Sequence, residues 1–203
     1  MSTLTEIMAS NGCDKAVGLH NYTGFYSLLF EPLRQKNLDL LEIGIGSINQ
    51  SYPATMYWWR DRYTPGASLR GWKDYFPNAK VYGCDIDRDT LFTEDRIETF
   101  HLDQTDRVSV KKEICDVDRA YDIIIDDGIH HFQTNFEVLE QIYPRLNSGG
   151  YYIIEDINDF NGEVMSSAFV RGCLSRGDHC SYVQIANSSN TNGDNNLFLL
   201  AKA

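Results

Sequence analysis

The sequence predicts an α/β protein, a mostly parallel sheet with helices on both faces and an antiparallel hairpin at its C-terminal end. Three observations carry this expectation. Apolar runs of strand length end abruptly in acids, most clearly Tyr121 to Asp127 and Tyr151 to Asp156, as buried parallel strands do when polar groups are delivered at their carboxyl ends. Segments of helical periodicity separate such runs, giving the alternation of a parallel sheet. The last two apolar runs, Tyr182 to Ile185 and Leu197 to Leu200, flank a tract of Asn, Ser, Thr, Gly and Asp with no helix between them, so they should pair antiparallel.

The elements follow in order. Leu4 to Met8 reads as a short helix closed by Asn11-Gly12, and residues 14–23 as a polar and aromatic surface connector. Tyr22, Phe25, Tyr26, Leu29, Phe30 and Leu33 recur at spacings of three and four, so a helix with a wide apolar face completes an N-terminal helical segment over residues 1–36. Leu38 to Gly46 is a strand running into a glycine turn, and Lys80 to Asp85 a second strand ending in an acid. Between them lie an aromatic insert at residues 47–66, too long for an ordinary connection and readable as lid, sugar platform or core, and a helix over Ser68 to Phe76. Thr99 to Gln104 forms a short third strand, followed by a helix over Asp106 to Val117. Thr134 to Leu146 carries one apolar helical face that Pro144 breaks, and Asn147-Ser148-Gly149-Gly150 reads as the closing turn. We expect one domain spanning residues 1–203.

Composition narrows the function. With 203 residues and 42% hydrophobic content, the chain can bury one good core. A net charge of −11 argues against nucleic acid or an anionic membrane as the main partner, and leaves open an acidic site for a cation. Five scattered cysteines without a C-x-x-C pair indicate neither a disulfide framework nor a zinc ribbon, and read as thiols of a reducing cytosol. The first ten residues show no secretory leader, and no apolar run reaches membrane-spanning length, so a soluble cytoplasmic protein is expected.

Candidate site residues gather at the carboxyl ends of the strands, where ligands of open α/β sheets bind. Gly44 and Gly46 allow close approach of the backbone to a ligand, although Asn49 stands where a dinucleotide fingerprint has its third glycine. Asp85 is placed to accept both hydroxyls of a ribose or to cap a helix, and Asp103 with Gln104 to bind an adenine or to cap. Asp126-Asp127-Gly128 reads in isolation as a turn, but two acidic strand ends on one edge with His130 at hand favour chemistry. His131 is the weaker of the two histidines, and Asn158 and Asp159 either bind an acceptor or turn the chain.

Taken together, Leu40 to Gly46, Ser68 to Pro77, Asp103-Gln104, Asp126 to His130 and Glu155-Asp156 resemble class I S-adenosylmethionine-dependent methyltransferases, and more narrowly the metal-dependent sugar O-methyltransferases of the mycinamicin and macrocin type. Asp14-Lys15, His20, Tyr22 and Thr23 resemble an N-terminal stretch of the same family, so the likeness runs from about residue 10 to residue 160. It implies a Rossmann-like seven-stranded sheet with a reversed terminal hairpin. It also implies cofactor contacts from Glu42, Gly44, Gly46, Ser68, Asp85, Asp103, Gln104 and Asp126, with Mg²⁺ held by Asp127, Glu155 and Asp156. His130 and Asp127 become the catalytic residues, His130 taking the proton of a sugar hydroxyl. Gly66-Ala67 departs from the two glycines common before the serine, and the aromatic insert has no counterpart in the resemblance.

The implied chemistry is coherent. A hydroxyl is a poor nucleophile at neutral pH, and an oxygen-rich site for Mg²⁺ beside a general base would activate it. The acceptor is expected to be a small molecule or a glycan, and a homo-oligomer is compatible with this reading. Two other readings stand beside it: a Mg²⁺-dependent enzyme of catechol-like phenols, and a non-catalytic module that binds S-adenosylmethionine.

Overall fold

The computed structural model describes residues 1–16, 18, 20–52, 55–157, 167–186 and 195–203. The strands β1 (Asp39–Ile43), β2 (Lys80–Asp85), β3 (Thr93–Glu94), β4 (Ile97–His101), β5 (Tyr121–Asp126), β6 (Leu146–Ile154), β7 (His179–Gln184) and β8 (Asn196–Ala201) form a single sheet. Their order is β3-β4-β2-β1-β5-β6-β8-β7. The run β4-β2-β1-β5-β6 is parallel, and β8 lies antiparallel between β6 and β7. The mixed sheet and its terminal hairpin match the expectation from sequence, with one strand more than the seven expected.

That extra strand is the two-residue β3, which folds back on β4 through a turn in which Arg96 takes a left-handed φ of 58°. Thr99 Oγ1 locks the turn by accepting from the Phe92 amide and donating to the Phe92 carbonyl, both at 2.6 Å. The Arg96 guanidinium in turn donates to the carbonyls of Lys73, Phe76 and Ala79, tying this turn to the end of the preceding helix and the segment after it. A stretch of two residues is too short for any periodicity to reveal.

Period-two alternation sends the central strands' side chains to two cores. Leu40, Val81, Ile123, Ile125 and Ile153 pack with residues of α1 (Leu4–Ser10), α2 (Tyr22–Phe30) and α3 (Ala67–Tyr75), including Met8, Tyr26, Phe30 and Trp72. Leu41, Ile43, Ile124, Tyr152 and Ile154 pack on the other face with Phe136, Leu139 and Ile142 of α5 (Phe132–Ile142). On that same face, α4 (Arg107–Val110) is capped by Asp106, whose side chain accepts from the Val108 amide, and continues as a wider turn over Lys111–Cys115, burying Val110 and Ile114. One further helix, α6 (Ala168–Ser175), had not been anticipated; Ser167 caps it by accepting from Val170 N.

Several boundaries differ from the sequence reading, β4 and α5 each starting two residues early, while the break at Pro144 falls as expected. Pro32 and Pro144 each sit in a short 3₁₀ turn that ends a helix, Glu31–Leu33 after α2 and Tyr143–Arg145 after α5, because proline cannot donate the next helical hydrogen bond. The expected closing turn at residues 147–150 belongs instead to β6, whose register against β5 shifts opposite Tyr121 and Ile123. Gly149 takes φ 77° there, and its amide donates to the Lys202 carbonyl at 2.8 Å. The polar tract before β8 falls largely outside the described residues, as do Asn158 and Asp159.

Candidate active site

Parallel register brings the site to one edge. Ile43 pairs with Cys84 of β2 and with Asp126 of β5, and Asp126 pairs with Ile154 of β6. The ladder runs one residue further: Gly44 N donates to Cys84 O at 2.8 Å, Asp127 N to Ile43 O at 2.9 Å and Glu155 N to Asp126 O at 3.0 Å. Gly44, Asp127 and Glu155 therefore stand side by side on this edge, and Gly44 and Asp127 line a cavity of about 200 Å³ while Glu155 lies buried behind them.

The glycine turn shapes one wall. Gly44 and Gly46 both take left-handed φ, 83° and 84°, where an L side chain is strained. A Cβ on Gly44 would collide with the Asp127 carbonyl, and one on Gly46 with the Tyr63 hydroxyl, which donates to Ile45 O at 3.0 Å. Asp85 fixes the turn from below, accepting from the amides of Ile45 and Asp87, each at 2.9 Å. It thus lines the cavity and caps backbone at once. Asp103 likewise lines the cavity while accepting from the Thr105 amide and hydroxyl.

Of the eight residues expected at the cofactor, Glu42, Gly44, Gly46, Ser68, Asp85, Asp103 and Gln104 line this cavity. Asp126 does not. It is fully buried beneath the edge, and burial pushes its carboxyl up to about 6 against the hydrogen bonds it accepts. Gln104 Nε2 donates to it at 2.7 Å and the Tyr152 hydroxyl at 3.2 Å. Because Gln104 Oε1 also accepts from the Ile129 amide at 3.0 Å, Asp126 acts through Gln104 to pin the loop after β5. Asp126 is the last residue of β5 and points under the edge, whereas Asp127 lies beyond the strand and lines the cavity.

The second wall is a charged cluster. His130 Nε2 lies 3.1 Å from Asp127 Oδ1 and 3.8 Å from Asp156 Oδ2. Both His130 and Asp156 hold left-handed φ, 52° and 54°, a costly conformation for residues with a Cβ and one that turns the two side chains toward each other. Asp127, His130 and Asp156 each offer one ligand atom, all within 4.8 Å of one another. Two hard carboxylate oxygens with an adjacent imidazole fit a divalent cation. His131, by contrast, precedes α5 and meets the Thr134 hydroxyl at 2.9 Å, away from this group.

Glu155 departs from the expected metal set. The Lys15 ammonium stands between the acids, 2.5 Å from Asp127 Oδ2, 2.5 Å from Glu155 Oε2 and 3.4 Å from Glu42 Oε1. The Tyr26 hydroxyl donates to the other oxygen of Glu155, so both of its oxygens are already engaged. Glu42 Oε2 accepts from the Trp72 indole at 2.8 Å. The segment expected to be a surface connector is thus a wall of the site. It supplies Lys15, buried to 2% exposure, and His20, whose Nδ1 lies 3.0 Å from Asn195 Oδ1 and 3.3 Å from Asp156 Oδ1. Tyr22 donates to that same Asp156 oxygen at 2.5 Å. Helical spacing of Tyr22 and Tyr26 was legible as an apolar face; that their hydroxyls reach two successive acids was not.

Electrostatics follow from these contacts. Burial opposes a charged His130, but the hydrogen bond and charge of Asp127 outweigh it and push the imidazole up to about 9. Burial would raise Asp127, yet Lys15 and His130 hold its carboxyl far below the usual range. Lys15 stays firmly protonated because Asp127, Glu155 and Glu42 surround it despite its burial. His20 is pushed up to about 10, burial being overcome by its bond and charge contact with Asp156.

The aromatic insert is divided in its role. Tyr52, Met56 and Tyr63 line the cavity, whereas Trp58 and Trp59, on a 3₁₀ turn over Thr55–Trp59, are exposed at 77% and 43%. Arg60 stacks over Tyr57 and Arg62 over Trp59. All five cysteines are free thiols, and among the described residues no helix is long and apolar enough to cross a membrane.

Comparison with known proteins places these features. No protein-family model matches the chain. It is 37% identical over 157 residues to the 8-demethyl-8-alpha-L-rhamnosyl tetracenomycin-C 2'-O-methyltransferase of Streptomyces olivaceus, an alignment covering 76% of this chain and 37% of that protein. It is 34% identical over 146 residues to the L-olivosyl-oleandolide 3-O-methyltransferase of Streptomyces antibioticus, covering 70% and 34%. With the mycinamicin VI 2''-O-methyltransferase of Micromonospora griseorubida it shares 33% over 157 residues, covering 76% and 36%. The chain thus spans little more than a third of the length of these relatives. Among solved structures, the MycE methyltransferase of the mycinamycin pathway, in complex with Mg, SAH and mycinamycin VI, superposes with a TM-score of 0.72 at 23% identity, covering 100% of this chain and 55% of that one. An O-methyltransferase from Bacillus cereus in complex with SAH gives 0.59 at 15% identity, covering 100% and 91%.

Proposed function

We propose that this chain, which has the Rossmann-like fold of class I S-adenosylmethionine-dependent methyltransferases and is related in sequence to antibiotic-sugar O-methyltransferases, transfers a methyl group to a sugar hydroxyl of a glycosylated small molecule. Residues 1–203 act as one methyltransferase domain in this reading, and the five free thiols suit a reducing cytoplasm. The observation that carries the proposal is the meeting of Asp127, His130 and Asp156 beside the glycine turn.

When bound, S-adenosylmethionine supplies a methyl group already activated toward displacement, and a divalent cation favours ionisation of the acceptor hydroxyl. Glu42, Gly44, Gly46 and Ser68 line the space that would take the donor, where Asp85 would meet its ribose and Asp103 with Gln104 its adenine. Asp127 and Asp156 would hold the cation. Glu155, tied to Lys15 and Tyr26, braces Asp127 from behind through the shared ammonium. His130, oriented at Nε2 by Asp127, would be the general base in its neutral form, which the metal-free protein reaches above about pH 9, receiving the hydroxyl proton at Nδ1. Tyr22 and His20 hold Asp156 in place.

The test is methyl transfer from S-adenosylmethionine, with Mg²⁺ present, to rhamnosylated and olivosylated polyketides set against simple catechols. Turnover of the glycosides is expected. Turnover of catechols alone would replace the sugar with a phenol, and binding of the donor without transfer to either would leave a non-catalytic module.

A further inference from the structure

We infer that Lys15 is a resident counter-cation of the acid cluster, holding Asp127 and Glu155 together when no divalent ion is bound and opposing that ion when it arrives. The inference rests on the metal reading proposed above. It starts from an ammonium placed 2.5 Å from two carboxylates and 3.4 Å from a third, on a side chain only 2% exposed. Glu42 and Glu155 are each buried to 1% exposure, so the Lys15 ammonium offsets the cost of holding a carboxylate at that depth.

Asp127 is the shared group. Its Oδ1 faces His130, on the side where Asp156 and the candidate metal group lie, and its Oδ2 is taken by Lys15. A divalent ion drawing on Asp127 would therefore sit across a single carboxylate from a fixed positive charge. Repulsion at that range is strong, because little water intervenes to screen it. Glu42 Oε1 offers the ammonium somewhere to go: it is buried, makes no hydrogen bond among the described residues, and has Lys15 as its nearby cation. A shift of the ammonium toward Glu42 would release Asp127 and one oxygen of Glu155, which then becomes available to the ion. Lys15 is in this sense a positioning residue that sets both the affinity of the site and whether Glu155 joins it.

Calorimetric titration of the full chain with Mn²⁺, in wild type and in Lys15→Met, tests this. Loss of the competing charge is expected to tighten Mn²⁺ binding by about tenfold or more. Mn²⁺ should also raise the melting temperature of the variant by more than that of the wild type, since the metal-free variant lacks its internal cation. A lysine that merely supports the fold would lower the melting temperature and leave the affinity unchanged. Equal or weaker Mn²⁺ binding by the variant, with the wild type binding normally, would overturn the inference. If neither protein binds Mn²⁺, the metal reading itself fails and the competition falls with it. Should Lys15→Met not fold, the wild type decides: the ¹⁵N-ammonium signal of Lys15, identified by its loss in Lys15→Arg, should move on saturation with Mg²⁺, and an unmoved signal overturns the proposal.

Discussion

His130 turns back on Asp127 three residues earlier, its Nε2 3.1 Å from the Asp127 Oδ1, through a left-handed backbone at the histidine itself. The carboxylate both aims the ring and holds its proton. Asp127→Asn should therefore lower the imidazole pKa of the metal-free protein from about 9 toward the ordinary histidine range. The ring carbon signals of His130 in a pH titration by NMR report it. A midpoint that stays near 9 in the variant would assign the shift to another group.

His130→Ala should reduce methyl transfer by roughly 10²–10⁴-fold, the usual contribution of a positioned general base. Affinity for S-adenosylmethionine should change little, because the donor contacts proposed above lie along the Gly44 turn and the ends of β2 and β4. Measuring the rate and the donor affinity in the same variant separates the two roles. A rate within a few-fold of wild type would remove His130 from the reaction.

Gly44→Ala meets two obstacles, a left-handed φ and the Asp127 carbonyl where its methyl must go. The backbone of the loop after β5 cannot yield as a side-chain tip can, so a loss of about 1–3 kcal/mol or more is expected. Urea unfolding measures it, and weakened donor binding should accompany it.

Gln104→Ala leaves Asp126 Oδ1 and the Ile129 amide without their partner. Stability should fall by about 1–3 kcal/mol, the cost of an orphaned buried polar group. The loop carrying His130 should exchange its amide hydrogens faster, which hydrogen exchange at Ile129 detects.

His20 gives the pH dependence of stability a definite sign. Its folded pKa is raised to about 10, so the folded protein binds the proton more tightly than the unfolded chain, whose histidine titrates near 6.5. The stabilisation is complete below about 6.5 and is lost as pH rises through about 10. In His20→Gln, the decline of unfolding free energy across that window should be shallower than in wild type. An identical slope would show that His20 is not its source.

What the sequence determined by itself is the sheet and the edge at which chemistry gathers. Runs such as Ile123 to Ile125 are apolar on both faces and end in acid, and this period and this ending depend only on local order along the chain. The lack of helical periodicity between the last two apolar runs likewise pointed to their antiparallel pairing. Tertiary structure alone decided which charges meet. Lys15 reaches Asp127 and Glu155 across 112 and 140 positions, and no spacing in the sequence records a partner so distant. It also decided that Asp126 faces the core and Asp127 the cavity, and that Glu155 is committed to Lys15 and Tyr26. Local periodicity sets the face on which a side chain stands, whereas the group opposite that face is chosen by how distant elements pack.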